Sequence, residues 1–250
     1  MPLVVLASAT QLPFTGFLNR ILGAPVTALL TALGIHPHDP AAPINNFVAM
    51  QILVVLFLTA VFIFVRSRLS VESPGGTQHV FEGIYGFVDE LGHSLIGHGH
   101  ESFTGFLTAL GMFILTSNLI GLVPGFVSPT ASPAVPLGCA LVTWSFYHYQ
   151  GIKHQGWHYV KQFTGPVMGI APLMIVIEVV SHLARLLSLT VRLFANIFAG
   201  DMVTLAFFSL IPIGVPIVFL ALHIGVSLIQ TYIFVLLSAV YLGGALSEEH

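Results

Sequence analysis

The sequence predicts an all-α membrane protein with five membrane-spanning helices and one interfacial amphipathic helix. Hydrophobic residues make up 56% of the 250 residues and charged residues only 7%, whereas soluble domains carry about a quarter charged residues. Apolar stretches long enough to cross a hydrocarbon core of about 30 Å recur along the chain. The net charge of −3 argues against nucleic acid as a partner and leaves the lipid bilayer as the predicted environment.

The chain divides into an N-terminal tail, residues 1–46, and a single polytopic membrane domain, residues 47–250. The tail is expected to hold short helical pieces, and three prolines punctuate its end: Pro37, Pro40 and Pro43. Its first ten residues are apolar but lack the basic segment that begins a signal peptide. The first span is therefore expected to act as its own membrane signal.

Long apolar runs define the predicted spans. The uncharged run Phe47–Val65 is long enough to cross the hydrocarbon core at about 1.5 Å per residue. Two prolines and a glycine within Ile211–Pro216 break the C-terminal apolar stretch into two long helices. The five predicted spans cover about 47–66, 103–123, 134–150, 167–210 and 217–246.

A change of period predicts an amphipathic helix at about 78–98. Apolar residues recur at spacings of three and four from Phe81 to Leu95. The other face carries polar residues, namely Glu82, Asp89, Glu90 and His93. Such a helix is better suited to lying in the membrane interface than to spanning the bilayer.

Basic residues in the loops predict the orientation. Five spans place the two termini on opposite sides of the membrane. The loops on one side hold four basic residues, Arg66, Arg68, Lys153 and Lys161, whereas the other side holds only Arg20. Because basic loops stay in the cytoplasm, the N-terminus is expected outside and the C-terminus in the cytoplasm.

Polar residues of the helix predicted at 167–210 share one face. At about 100° per residue, one side of this helix carries Glu178, Ser181, Arg185, Ser188, Arg192 and Asn196. Asp201 lies on the opposite face. An arginine at mid-bilayer depth costs roughly 2.5–3.5 kcal/mol on insertion scales. Arg192 is therefore predicted to be a functional residue rather than a simple contact between helices.

The break at 211–216 predicts how the last two helices face each other. In an antiparallel hairpin centred there, Asp201 lies level with His223 and Arg192 lies level with Gln230. A carboxylate facing an imidazole can relay protons, because both groups titrate. An arginine does not deprotonate in proteins, so Arg192 is expected to be a fixed positive charge beside a neutral hydrogen-bond partner.

Two other classes of function are open at this point. The 12 histidines suggest a metal- or haem-binding membrane protein, and a polytopic membrane enzyme is the second alternative. However, neither the pair His154 and His158 nor the group His93, His98 and His100 is expected to form a complete ligand set with Cys or Glu. His182 lies too far from the level of His223 for shared haem ligation. We expect no cofactor and no metal.

The segment Ser188–Asp201, SLTVRLFANIFAGD, strongly resembles the signature of subunit a of F-type ATP synthases, the membrane stator beside the rotating c-ring. The resemblance extends from about residue 44 to the end of the chain. Its other matching segments are INNFVAMQILV at 44–54, PGGTQHVFE at 74–82, SNLIGLVPGF at 117–126, PTAS at 129–132 and TYIFVLLSAVYL at 231–242.

The resemblance implies a role for each candidate residue. Arg192 matches the essential arginine that faces the c-ring carboxylate, and Glu178 matches the acid on the cytoplasmic side. The remaining residues of the implied proton path are Ser188, Asn196, Asp201, His223 and Gln230. Protons would enter from outside through Asp201 and His223 and leave past Glu178, and the chain itself would catalyse no bond chemistry.

The resemblance also implies partners and location. The partners would be the c-ring, the peripheral-stalk subunit b and the remainder of the ATP synthase, in a bacterial inner membrane. The last two helices would form a tilted hairpin along the ring. Two departures affect this hairpin: Leu186 replaces a common proline, which should leave the helix straighter, and Asp201 replaces the usual glutamate, which shortens its reach to His223.

Overall fold

The computed structural model describes residues 11–34, 39, 42–70, 74–123, 125–156, 159, 171–210 and 215–246. Within these ranges the regular structure is entirely helical, so the predicted all-α class is confirmed there. The helices are α1 (Pro13–Ala32), α2 (Asn46–Ser67), α3 (Gly76–Ile96), α4 (Glu101–Leu119), α5 (Ala134–Gln155), α6 (Ala171–Leu210) and α7 (Val215–Leu246). Two single 3-10 turns, Ile120–Leu122 and Pro129–Ala131, lie between α4 and α5.

Four helical segments of the described chain have the length and apolarity needed to cross a membrane: Asn46–Ser67, Glu101–Leu122, Pro172–Ser209 and Ile217–Leu246. The remaining predicted span, 134–150, is helical as part of α5, and α5 has 22 residues. Its second half is less apolar, because it carries His148, Gln150 and Lys153. The crossing by α5, and with it the five-span count, stays a prediction.

In the described part of the tail, Pro13–Ala32 forms a helix of 20 residues, which is longer than the short pieces expected there. Asn19 holds this helix against the start of α2: its Nδ2 donates to the Ile44 carbonyl, and its Oδ1 accepts from the Ile44 N–H, both at 3.0 Å. Leu18, Ile44 and Ala49 form a buried apolar cluster beside these bonds. Asn45 then caps α2 by accepting from the Val48 N–H at 2.8 Å.

The predicted amphipathic helix is α3, and its apolar face packs against α4 and α7. Val88 on this face joins Leu107, Val235 and Ala239 in a buried cluster. The helix ends at Gly97, whose φ of 82° lies in the left-handed region that favours glycine. The period of three and four therefore marks a protein-packing face, and the interfacial position of the other face stays a prediction.

Helices α6 and α7 pack along each other as the predicted hairpin. Helix α6 has 40 residues, which is about 60 Å and roughly twice the hydrocarbon thickness. It runs continuously through Leu186, where the resemblance places a common proline. Helix α7 begins at Val215, two residues before its predicted start, and residues 211–214 of the predicted break lie outside the described residues.

Candidate functional site

Two neighbouring faces of α6, about 100° apart, position the candidate residues. Leu189, Leu193 and Ile197 recur every four residues and are buried in a core with residues of α4, α5 and α7. Ser188 and Asn196 consequently remain exposed on the other face, and Arg192 between them is half-buried. The polar stripe predicted from helical periodicity is thus part of the outer surface of this chain, at the level of its apolar core.

The Arg192 guanidinium stays within its own stripe. Its Nη2 donates to Ser188 Oγ, one helical turn away, at 3.3 Å. In the described part of the chain no carboxylate forms an ion pair with Arg192. Within the described residues the permanent charge is therefore left without a compensating carboxylate.

Gln230 of α7 contacts Asn196 rather than Arg192. Asn196 Nδ2 donates to Gln230 Oε1 at 2.8 Å, so the amide predicted to face the arginine binds the residue one turn further along α6. A hairpin centred in the break at 211–216 predicts the residue of α6 that lies level with Gln230 to within about one turn. It does not fix which of the neighbouring side chains Gln230 contacts. Asn196 instead links the buried Gln230 amide to the exposed stripe.

Asp201 and His223 are in contact across the hairpin, as their register predicts. His223 Nδ1 lies 3.8 Å from Asp201 Oδ1, and the imidazole is almost fully buried whereas the carboxylate is partly exposed. Gly200 allows this close approach, because a Cβ at that position would lie 2.7 Å from His223 Nδ1. The contact joins an accessible carboxylate to a buried titratable ring.

The buried face of α7 carries a row of polar atoms that the sequence reasoning missed in part. His223 Nε2, Ser227 Oγ and Gln230 Nε2 are buried and have no hydrogen-bond partner among the described residues. Spacings of four and three place them on one side of the helix. Since an unpaired buried polar group costs about 1–3 kcal/mol, such groups normally bind ordered water. That spacing was the available signal for Ser227.

An apolar plug ends this polar row. Phe234, one turn beyond Gln230, is fully buried and packs in the same core as Leu193, Ile197 and Ile114. Beyond it the buried face of α7 continues mainly with apolar residues, Val235, Ala239 and Leu242. Among the described residues, the buried polar atoms of α7 that have no hydrogen-bond partner therefore lie in its first half.

A second cluster of polar side chains lies in the first half of α6. Glu178 Oε1 lies 3.4 Å from His182 Nε2. The Arg185 guanidinium lies over the Tyr241 ring, 5.2 Å from its centre, in the arrangement of a cation–π contact. Glu178 is partly exposed and His182 is buried. This end of α6 thus also joins an accessible carboxylate to a buried imidazole.

Buried hydrogen bonds attach the Pro129–Ala131 turn to α4 and α7 beside Gln230. Asn118 Oδ1 accepts from Thr130 Oγ1 at 2.7 Å, and Asn118 Nδ2 donates to Thr231 Oγ1 at 3.4 Å. Ser128 Oγ donates to the Ser117 carbonyl at 2.7 Å. These contacts fix the segment of α7 that contains Gln230.

The histidines considered as ligands have other neighbours. His93 and His100 meet edge to face at 5.2 Å, and Asp89 lies 3.4 Å from His100, while His158 lies outside the described residues. Over the described ranges no three His, Cys, Asp or Glu side chains form a group that could hold a metal ion. His182 and His223 face Glu178 and Asp201, respectively, rather than each other.

Known proteins resemble the chain along nearly its whole length. The family profile described as "ATP synthase A chain" matches residues 47–243. ATP synthase subunit a of Koribacter versatilis is 57% identical over 96% of this chain and 98% of its own length. The corresponding proteins of Solibacter usitatus and Trichlorobacter lovleyi are 46% and 38% identical, over 93% and 85% of this chain and 99% and 92% of their own lengths. The chain therefore belongs to the ATP synthase A chain family, that of subunit a of F-type ATP synthases.

Proposed function

We propose that this chain is the proton-conducting stator of its ATP synthase and that Arg192 separates two half-channels beside a c-ring. The observation that carries the proposal is the position of Arg192: a permanent charge on an exposed stripe, with no ion-pair partner in the described part of the chain. A buried cation is tolerated when a partner supplies an acid. The chain contributes charge and proton transfer, and catalyses no bond chemistry.

The surface around Arg192 supports an apolar partner with a carboxylate at mid-membrane depth. Leu187, Val191 and Phe198 of α6 are exposed around the polar stripe. In the most apolar 18-residue stretch of Pro172–Ser209, only 11% of the residues are buried inside the chain. A ring of c-subunit helices, each with a membrane-embedded acid, fits both the apolar surface and the charge. The family resemblance adds subunit b of the peripheral stalk as a second partner.

The entry half-channel runs along the first half of α7. Protons from outside reach Asp201, pass to His223, and continue through water held by Ser227 and Gln230 to the ring carboxylate. The support for this route is the 3.8 Å contact between Asp201 and His223 and the row of buried polar atoms that follows it. Asn196, bonded to Gln230, connects the row to the exposed stripe.

The plug at Phe234 and the charge of Arg192 keep the two half-channels apart. An apolar core offers no groups for a proton to bind, and a fixed guanidinium repels protons. Arg192 also favours the ionised form of the ring carboxylate that passes it, while Ser188 holds the guanidinium in the stripe. After nearly a full rotation the proton leaves towards the cytoplasm past Glu178.

Isolation of the intact complex tests this proposal. An affinity tag on the chain should recover a c-ring and a soluble ATPase head from mild detergent, and Arg192→Ala should recover them equally well, because the arginine is not proposed to hold the complex together. The subunits are identified by mass spectrometry. Recovery of the wild-type chain without a c-ring, from membranes that contain an assembled synthase, would contradict the proposal.

Cysteine labelling tests the orientation and the fifth span together. Single cysteines are placed at Thr31, Val123 and Lys153, which are all exposed, in a chain whose buried Cys139 is replaced by alanine. With the N-terminus outside and α5 crossing the membrane, an impermeant thiol reagent should reach positions 31 and 123 only from outside and position 153 only from the cytoplasm. Labelling of positions 123 and 153 from the same side would show that α5 does not span.

A further inference from the structure

The exit route of the proposed function leaves a long gap along α6. From residue 178 to residue 192 the helix rises about 21 Å, which is too far for a single proton transfer. Arg185 lies between them but does not deprotonate. His182 is the one histidine in this interval, and imidazole is the side chain whose ordinary pKa lies near neutral pH; this ring is 9% exposed.

Both ring nitrogens of His182 face a proton-transferring group. Nε2 lies 3.4 Å from Glu178 Oε1, and Nδ1 lies 2.9 Å from the Tyr147 hydroxyl of α5. A ring held on both sides in this way can accept a proton at one nitrogen and release one from the other. A histidine that only filled space between helices would not need a polar partner at each ring nitrogen.

The Tyr147 side chain continues the chain of polar groups into a small cavity between α5, α6 and α7. Thr143, Tyr147, Arg185 and Tyr241 line this cavity, together with Leu189. Thr143 Oγ1 is buried there and has no hydrogen-bond partner among the residues that the structure describes. A water in this cavity would have Thr143 Oγ1 as a polar partner. The cavity reaches the level of Leu189, which is adjacent to Ser188 of the exposed stripe.

A second imidazole lies beside the first. The His148 and His182 rings are 4.7 Å apart, and His148 Nδ1 lies 2.6 Å from the Tyr159 hydroxyl. Burial raises the pKa of Tyr159 to about 12, so the phenol stays neutral while it is hydrogen-bonded to His148. Gly151 makes room for the Tyr159 ring, since a Cβ at that position would overlap it. This arrangement fixes the second imidazole against the first.

The charges around His182 favour rapid passage over storage of a proton. Arg185 and His148 disfavour a lasting positive charge on the ring, whereas Glu178 stabilises one. Tyr147 and Tyr241 are the other titratable groups that α5 and α7 bring to this cluster. Because two neighbours oppose a lasting charge on the ring and one supports it, the ring is suited to pass a proton on rather than to hold it.

We propose that His182 and Tyr147 form a proton-transfer station of the exit half-channel, between the Thr143 cavity and Glu178. In the direction of synthesis the Tyr147 hydroxyl gives its proton to His182 Nδ1 and takes one from cavity water, which in turn receives the proton that the c-ring carboxyl group releases. His182 gives its Nε2 proton to the Glu178 carboxylate, which releases it to the cytoplasm, and reorientation of the hydroxyl and the ring restores the starting state. ATP-driven pumping runs the same transfers in reverse. This inference rests on the proposed function, because it supplies a step within it.

The test uses the intact synthase reconstituted in vesicles, with ATP-driven proton pumping as the measurement. A positioned acid–base group contributes at least roughly a hundredfold to a proton transfer, and a motor limited partly by other steps should show a loss on the order of tenfold. His182→Ala should therefore slow pumping while the complex still assembles. If His182→Ala does not assemble, His182→Gln, which keeps hydrogen-bonding capacity but does not titrate, is measured instead and should show the same loss.

Chemical rescue separates proton transfer from packing. Added imidazole should restore pumping to His182→Ala, whereas N-methylimidazole, of similar shape, should not, because its methyl group blocks one nitrogen. His100→Ala is the matched control: this buried imidazole also has an acid neighbour, Asp89, but lies off the proposed path. Wild-type vesicles receive both additives, because both are permeant weak bases that change the internal pH.

Each outcome decides the inference. A wild-type rate in His182→Ala, or in His182→Gln where the alanine variant does not assemble, would overturn it, and equal rescue by both additives would reduce His182 to a packing role. The Arg192→Ala variant is measured in the same experiment. If Arg192→Ala is inactive while the His182 variant is normal, only the station is wrong, whereas normal pumping by Arg192→Ala would overturn the proposed function itself.

Discussion

Arg192→Ala is expected to abolish both ATP synthesis driven by a proton gradient and proton pumping driven by ATP. Between Ser188 and Asn196, Arg192 is the only charged residue of the stripe. Within the described chain its one hydrogen bond is to Ser188. Without it nothing favours the ionised ring carboxylate, and nothing positive blocks a proton from moving directly between the half-channels. Hydrolysis by the soluble head should persist, because no part of that catalysis involves this chain.

Passive proton flux should rise in the same variant. Removal of the soluble head leaves the membrane part as a proton conductor, and the loss of the barrier charge should increase its leak in vesicles. Arg192→Lys should also fail to couple, because lysine has one compact charge, lacks the planar fork and can lose its proton when buried. The measurement is proton flux with and without ATP in vesicles of equal protein content.

Arg66→Ala provides the matched control, because Arg66 lies in the last turn of α2 and away from the stripe. It should keep coupled pumping near the wild-type rate. Normal coupled pumping by Arg192→Ala, in a complex that assembles, would leave Arg192 as a contact between helices and end the proposed mechanism.

Helical periodicity predicts those parts of this structure that depend on one helix alone. The stripe from Ser188 to Asn196 is accessible because the residues of the neighbouring face, Leu193 among them, are apolar and turn that face into the core. The apolar face of α3 packs as its spacing predicts, and Val88 lies within it. In each case the same residues define both the period and the buried face, so the sequence carries the information locally.

Contacts between helices far apart in sequence are the part that periodicity cannot supply. The hairpin register correctly predicts that Asp201 contacts His223, because a short break fixes how two antiparallel helices align. For Gln230 it predicts Arg192, whereas the hydrogen bond is to Asn196, one turn further along α6. The contact of Tyr147 with His182 depends on how α5 crosses α6. No spacing within either helix encodes that crossing, and the sequence consequently suggested no role for Tyr147.

The N-terminal helix α1 was missed for a different reason. Its sequence contains Pro25 and two glycines, Gly16 and Gly23, which lower the local helical propensity. The two hydrogen bonds between Asn19 and Ile44 and the cluster around Leu18 stabilise one continuous helix against α2. Tertiary contacts therefore outweigh the local propensity of this segment.

Asp201 and His223 are expected to act as one unit in proton uptake. Asp201→Asn and His223→Ala should each slow ATP synthesis driven by a proton gradient, and the double variant should be little slower than either single one. A relay broken at one member is already broken, so the second change removes nothing more. The coupling between them should fall within about 0.5–3 kcal/mol, the range of contacting residues. Synthesis rates at fixed pH in reconstituted vesicles provide the barrier free energies.

The geometry at Gly200 supplies an independent third arm of the same experiment. Gly200→Ala leaves both titratable groups in place, but its Cβ would lie within 2.7 Å of His223 Nδ1 and force the ring away from Asp201. It should therefore slow uptake like the single variants, and add little to either. Paired with His223→Ala, the off-path variant His100→Ala should instead give losses that sum to within about 0.3–0.5 kcal/mol, as distant sites do. Fully additive losses for Asp201→Asn with His223→Ala would show that the two residues act separately, and that the 3.8 Å contact is not a relay.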